Sequence, residues 1–266
     1  MKISEKTFVV TGGGNGIARE VVLGLLAKGA RVATLDLSKD GLAETARLAN
    51  AGDRLSTHVV NITDRTGVEK FAQEAIKLHG AVDGVLNIAG VIQKFVKVID
   101  LPYEEVEKVM NVNFYGVVNV VKTFLPHLIT RPEAAILNVS SMGGFAAVPG
   151  QAVYGASKAA VALLTEALYA ELMGTNVQVT TIYPGAIATD ITKNSGVENP
   201  GGESAETTSF KMTSAKDAAA VIITAVEKGK FRAMIGGDAA ALDKMKRFSP
   251  RKATELIAKK MGSLLG

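Results

Sequence analysis

Cysteine is absent from this chain of 266 residues, and so is tryptophan. Without a thiol there is no disulfide, no thiolate nucleophile, no zinc–thiolate site and no iron–sulfur ligation. Histidine is scarce: His58, His79 and His127 are the whole complement, and their separations match no metal-ligand spacing. No metal site is expected. His127 follows Pro126 near an expected helix end, where an imidazolium complements the helix dipole. Long apolar runs are missing too. No uninterrupted stretch reaches the ~20 residues that a membrane span needs, and no basic segment followed by an apolar core opens the chain. The expectation is a soluble, unexported, cytoplasmic protein.

What is present is ordinary for a folded domain: 47% hydrophobic and 21% charged residues. Intrinsic disorder is excluded, and the length suffices for a substantial core. The net charge of +4 is unevenly placed, because residues 227–266 hold ten Lys or Arg against four Asp or Glu. Those cations alternate with Leu242, Met245, Phe248, Leu256 and Ile257. The segment 236–266 therefore reads as basic amphipathic helices covering one end of the core, not as a nucleic-acid or membrane arm.

Short β-branched runs recur at Thr7–Val10, Val32–Leu35, Ser56–Val60, Gly84–Asn87, Ala135–Val139, Val177–Ile182 and Arg232–Ile235. They are mostly continuous rather than alternating, as in strands covered on both faces. Helical patterns at 15–28, 40–50, 64–79, 103–129, 152–173 and 214–228 lie between them. This repetition predicts an α/β fold: a Rossmann-type, doubly wound, mostly parallel seven-stranded sheet with helices on both faces. No Pro-, Gly- or Ser-rich linker occurs before residue 189, so 1–266 reads as a single domain. Within it, 190–213 is crowded with Gly, Ser, Asn, Pro and Glu and reads as a mobile surface loop.

The first strand runs into Thr11-Gly12-Gly13-Gly14-Asn15-Gly16-Ile17-Ala18. A glycine-rich turn between a first strand and a first helix lets backbone N–H groups approach a pyrophosphate at the helix N-terminus. The strict Gly-x-Gly-x-x-Gly spacing is not met, since Ile17 stands where the third glycine belongs; an ordinary flexible loop is the plainer alternative. Asp36 closes the second strand, where a carboxylate accepts both hydrogen bonds of an adenosine ribose and meets a 2′-phosphate with like charge. NAD is therefore expected over NADP. Lys39 lies nearby, and a simple helix cap is the competing role for Asp36.

Tyr154 and Lys158 stand at i and i+4, which a helix puts on one face. A phenol is a poor base at neutral pH, and a neighbouring ammonium favours its phenolate. Such a tyrosine can exchange a proton with an alcohol or carbonyl oxygen while hydride moves to or from a nicotinamide. Ser140-Ser141 ends the fifth strand, at the edge where open sheets bind ligands, and a hydroxyl there can steady a substrate oxygen. A turn before Gly143-Gly144 is the plainer role. Asn113 falls inside the 103–129 helical pattern, an unfavourable place for asparagine unless it has a partner or faces solvent.

Together these residues resemble the short-chain dehydrogenase/reductase family in its compact single-domain branch. The matching elements are Thr11-Gly12-x-x-x-Gly16-Ile17, Asn87-x-Ala89-Gly90, Asn113, Ser141, Tyr154-x-x-x-Lys158 and Pro184-Gly185-x-x-x-Thr189. They run in the family's order from residue 7 to about 190. The resemblance implies an NAD-dependent oxidoreductase with Tyr154 as acid/base. Lys158 would lower its pKa and bind the nicotinamide ribose, Ser141 would orient the substrate, and Asn113 would hold a water that completes a proton relay. It further implies cofactor contacts from Gly12, Gly14, Asn15, Gly16, Ile17, Asp36, Asn61, Ile62, Asn87, Ala89 and Gly90, and from Pro184, Gly185, Ile187 and Thr189 near the carboxamide. Three positions depart from the family pattern. Ala18 replaces a frequent glycine, Ile88 a second asparagine, and Asn61 an aspartate that meets adenine.

The walls of a substrate pocket would come from Val91, Ile92, Phe95, Met142, Phe145, Val148, Phe210 and Met212, with Lys94 and Lys97 the nearby charges. They predict a mainly apolar secondary alcohol or ketone; plain core packing is the alternative for these side chains. The helices 103–129 and 152–173 carry more apolar surface than one sheet face covers. With the family's frequent tetramer, this predicts a homotetramer, otherwise a dimer. A non-catalytic dinucleotide sensor and a sugar-nucleotide epimerase or dehydratase are the competing functions, the latter requiring a larger C-terminal domain.

Overall fold

The computed structural model describes residues 1–189, 191–197 and 212–262. Phe8, Val9 and Val10 of β1 (Thr7–Thr11) are fully buried, as a strand covered on both faces requires. The other strands are β2 (Arg31–Asp36), β3 (Leu55–Val59), β4 (Gly84–Asn87), β5 (Ala134–Val139), β6 (Val177–Pro184), β7 (Ile187–Ala188), β8 (Thr213–Ser214) and β9 (Arg232–Ile235). Seven of them make one sheet in the order β3-β2-β1-β4-β5-β6-β9, every neighbouring pair parallel. These are the seven expected strands. The β7–β8 pair had no counterpart in the sequence pattern, because two residues are too few to show a period.

The helices are α1 (Gly16–Ala27), α2 (Lys39–Ala49), α3 (Arg65–His79), α4 (Tyr103–Met110), α5 (Gly116–Leu128), α6 (Ala152–Glu171), α7 (Ile191–Asn194), α8 (Ala215–Glu227), α9 (Gly237–Phe248) and α10 (Pro250–Met261). Local chemistry sets several ends. Ser38 caps α2 by accepting from the Gly41 N–H, and Ser214 caps α8 by accepting from that of Asp217. Gly80 ends α3 at φ +83°, a conformation that favours glycine.

The alternation along β1 divides the interior. Phe8 and Val10 pack with Val21, Val22 and Leu25 of α1 and Ile222 and Ile223 of α8. Val9 faces the other way, toward Phe71 of α3, Phe124 of α5, and Val161 and Leu168 of α6. Each such buried side chain contributes roughly 1.5–3 kcal/mol. Most of the apolar surplus expected on 103–129 and 152–173 is taken up here. Val117, Val121, Phe124, Val161, Leu168 and Leu172 are buried, leaving Leu163 and Tyr169 exposed together with Tyr103, Tyr115 and Met173.

Two expectations need correction. The pattern at 103–129 is not one α-helix: residues Asn111–Tyr115 form a π-helical turn between α4 and α5. In the C-terminal segment, Ala239, Ala253 and Ile257 face the core, but Phe248 at the end of α9 is 91% exposed. Met245, three residues earlier on the same helix, is exposed as well, so this face of α9 turns to solvent and not to the core. Residues 263–266 of this segment, and most of the expected loop 190–213 with Phe210, lie outside the described residues. Among the described residues no helix is long and apolar enough to cross a membrane.

Candidate active site

The strand order reverses direction around β1 and β4, and a cavity of about 350 Å³ opens at their carboxyl ends. Gly12, Asn15, Gly16, Ile17, Asp36, Asn61, Ile62, Ala89, Gly90 and Thr189 line it, with Val91, expected as a substrate-pocket wall, and with Leu37, Ser38, Val60 and Val112, which sequence reasoning had not assigned to it. The glycine turn is fixed by close approach as well as by φ. Gly12 sits at φ +81°, and a Cβ there would come within 3.0 Å of the Ala89 Cα. A Cβ on Gly14 would lie 2.8 Å from the Asp36 carboxylate. The Gly13 position is closed by Thr34. A helix N-terminus at the floor, a bare backbone turn and a carboxylate at the rim fit a dinucleotide.

Asp36 is already engaged: its Oδ2 accepts from the Gly14 N–H and its Oδ1 from that of Ser38, both at 2.9 Å. These bonds fix the carboxylate against the turn. Arg19, on α1, donates to the carbonyls of Gly14 and Gly41 and to Thr45 Oγ1. It ties α1, the glycine turn and α2 together. The other expected contacts lie outside the cavity lining. Asn87 is buried with its amide donating to Asn138 Oδ1 at 2.8 Å, and Pro184 closes β6. Gly185 and Ile187 follow, and the Ala186 N–H between them donates to Asp238 Oδ2 at 2.8 Å. The same carboxylate would collide with any side chain at Gly185. Asp238 was not foreseen, since only the fold brings α9 to this turn.

A second cluster adjoins the cavity at Gly90, where a Cβ would come within 3.0 Å of Lys158 Nζ and 3.1 Å of Asn113 Oδ1. Asn113 is fully buried, which excludes the solvent-facing role weighed for it. Its Oδ1 accepts from the Val91 N–H at 2.9 Å, and its Nδ2 donates to the Val91 carbonyl and to Ser157 Oγ. Lys158, also buried, donates from Nζ to the Val139 carbonyl at 3.0 Å. Ser140 grips the same helix by donating to the Lys158 carbonyl at 2.7 Å.

Tyr154 lies on α6 beside Ser141, whose Oγ accepts from the Gly143 N–H at 3.1 Å. Burial raises the phenol above its ordinary value, and a hydrogen bond with Ser141 opposes that rise. This reverses the downward shift anticipated from the i, i+4 pairing: the ammonium does not offset the loss of water around the phenol. Lys158 is itself lowered to about 8 by burial.

None of Phe95, Met142, Phe145, Val148 and Met212 lines the cavity. Phe145 stacks edge-on against Tyr183, with ring centroids 5.5 Å apart, and Met212 is exposed. None of the three histidines lines it either. His58 and His79 share the Ser56 hydroxyl at 3.0 and 2.9 Å, and burial lowers both imidazoles. Among the described residues no cluster of acidic and histidine side chains could hold a metal ion.

The short chain dehydrogenase profile matches residues 6–200. A putative oxidoreductase, SadH, of Mycobacterium tuberculosis is 36% identical over 262 residues, covering 95% of this chain and 94% of that protein. A short-chain dehydrogenase/reductase from Burkholderia phymatum in complex with NAD superposes with a TM-score of 0.85 at 23% identity, covering 95% of this chain and 96% of the other. A short-chain dehydrogenase from Burkholderia cenocepacia in complex with NADP gives 0.81 at 25% identity, covering 97% and 99%. With its doubly wound sheet, its glycine turn and these matches, the chain belongs to the short-chain dehydrogenase/reductase family of oxidoreductases.

Proposed function

We propose that this oxidoreductase transfers hydride between NAD(H) and a mainly apolar secondary alcohol or ketone, with Tyr154 as the acid/base. The observation that carries the reading is the convergence of Ser141 on Tyr154 and of Lys158 and Asn113 on Gly90, at the edge of the cavity. The nicotinamide, when bound, supplies the hydride donor or acceptor. The protein's part is to bind, orient and move one proton. Ser141 hydrogen-bonds the substrate oxygen. Tyr154 keeps its proton at neutral pH because burial raises the phenol, so it can give that proton to a carbonyl oxygen. In the reverse direction it must first lose the proton, which the Lys158 charge favours. Asn113 and a bound water would carry it onward. Residues 190–213, with Phe95, Met142, Phe145, Val148, Phe210 and Met212, would supply the substrate side.

NAD is proposed over NADP because Asp36 is locked at the cavity rim, where a 2′-phosphate would meet its charge. The test follows nicotinamide absorbance with NAD and NADP across a panel of secondary alcohols. A higher kcat/KM with NAD is expected. Asp36→Asn should cut the preference for NAD by about tenfold, the worth of a charge-assisted hydrogen bond. Better turnover with NADP in the unmodified protein would overturn the cofactor assignment.

Assembly is proposed through the segments 103–129 and 152–173, which leave Tyr103, Tyr115, Leu163, Tyr169 and Met173 exposed. Light scattering at micromolar concentration should give the mass of a tetramer or dimer. A monomer would contradict the proposal.

A further inference from the structure

The four residues after Ala89 are each fixed by a contact distant in the chain. Gly90 packs against Lys158 and Asn113, and the Val91 backbone is held on both sides by the Asn113 amide. The Ile92 N–H donates to Ser195 Oγ. Gln93 reaches furthest. It is fully buried, and its Oε1 accepts from the N–H groups of Val153 and Tyr154 at 2.8 and 2.9 Å. These are first-turn donors of α6, which its own N-cap residue, Gln151, leaves without a side-chain acceptor. Gln93 Nε2 donates to the Gly150 carbonyl at 2.9 Å. In return, Gln151 Nε2 donates to the Gln93 carbonyl at 2.8 Å.

We infer that Gln93 is a positioning residue for Tyr154: it caps α6 from a separate loop and thereby sets where the phenol stands relative to Ser141 and the cavity. The inference rests on the reading of Tyr154 as acid/base. A local cap on the same helix would hold the helix end but carry no information about the loop after β4. A cap supplied by that loop couples the two walls of the site. Only a side chain with an acceptor for two N–H groups and a donor for Gly150 satisfies the geometry, and glutamine has both.

The test uses the full-length protein carrying Gln93→Met, Gln93→Glu or Tyr154→Phe, with NAD and the secondary alcohol turned over best by the unmodified protein. Gln93→Met should lower kcat by about ten- to a hundredfold, with KM for both substrates within about threefold, as expected of a misplaced reacting group. Gln93→Glu keeps the acceptor for both N–H groups and, held protonated by burial, also donates to the Gly150 carbonyl, so it should recover most of that loss. An independent readout, needing neither alcohol nor NAD, is fluorine NMR of protein labelled with 3-fluorotyrosine. The Tyr154 resonance, assigned by its disappearance in Tyr154→Phe, should shift in Gln93→Met and return toward its original position in Gln93→Glu. A folded Gln93→Met protein with unchanged kcat and an unmoved resonance overturns the role of Gln93. So does Gln93→Glu no better than Gln93→Met. If Gln93→Met does not fold, Gln93→Glu decides alone: a kcat within about fivefold of the original supports the cap, and a larger loss overturns it. Turnover persisting in Tyr154→Phe overturns the reading of Tyr154 itself, which separates the two failures.

Discussion

Tyr154→Phe is expected to lower turnover by about 10²–10⁴-fold while NAD binding stays within about twofold, the range contributed by a positioned acid/base group. The phenyl ring fills the same space on α6 and removes only the hydroxyl, so the fold and the glycine turn are left in place. The pH dependence gives the assay a second edge. Burial raises the phenol above its ordinary value, so its protonated form persists through neutral pH. Ketone reduction should therefore run at neutral pH and fade as the solution becomes alkaline, whereas alcohol oxidation should climb with pH. Both dependences should vanish in any residual activity of the phenylalanine variant. Stopped-flow recording of nicotinamide absorbance in both directions measures them. Residual turnover that retains the parental pH profile would remove Tyr154 from the chemistry.

Lys158→Met is expected to move turnover and stability in opposite directions. Below about pH 8, where Lys158 carries its charge, losing the ammonium removes the group that favours the phenolate, and alcohol oxidation should fall by about a hundredfold or more. Stability should change the other way. Burial holds this lysine at about 8 against an ordinary 10.5. Below about pH 8 both folded and unfolded chains carry the proton, and the folded state bears the full cost of a buried charge. Between about 8 and 10.5 the unfolded chain binds more protons than the folded one, so stability rises with pH across that window. The shift corresponds to ~3 kcal/mol, from which the lost bond to the Val139 carbonyl subtracts ~1 kcal/mol. At pH 7 and without NAD, the methionine variant should thus be the more stable protein by about 2 kcal/mol, and its advantage should shrink as pH approaches 10.5. Denaturant unfolding of the two proteins at pH 7 and pH 10 measures this. An advantage that does not change with pH would contradict the linkage.

The sheet was legible in the sequence because each of its seven strands is a compact apolar run with a turn or helix signal on either side. The glycine turn and Asp36 were legible for a related reason: their partners lie one element away. Asn113 shows where such reading stops. Its flanking apolar residues keep a helical period, so nothing in the pattern separates an α-helix from the π turn that buries this amide against Val91 and Ser157. Gln93 and Asp238 escaped notice because each acts on backbone groups brought close only by the finished sheet: α6 for the first, the turn after β6 for the second. The direction of the Tyr154 shift was likewise invisible, since spacing locates a charge but says nothing of how much water is lost around a phenol. Phe248 was misread together with Met245: the two lie three residues apart on a face of α9 that turns to solvent, and spacing alone does not say which face meets the core.

The strand order also has a consequence for how this protein is made. β1 pairs with β2, a few residues beyond α1, but its other edge waits for β4, with β2, β3 and three helices intervening in the chain. During synthesis the three-stranded β3-β2-β1 portion can therefore assemble while one flank of its innermost strand stays open. That flank is lined by fully buried apolar residues in the finished protein and is a template for pairing with another nascent chain. Distant parallel pairings also make for slow folding. The switch point that places a cavity at the carboxyl ends of β1 and β4 thus also leaves one edge of β1 open during synthesis until Gly84–Asn87 docks.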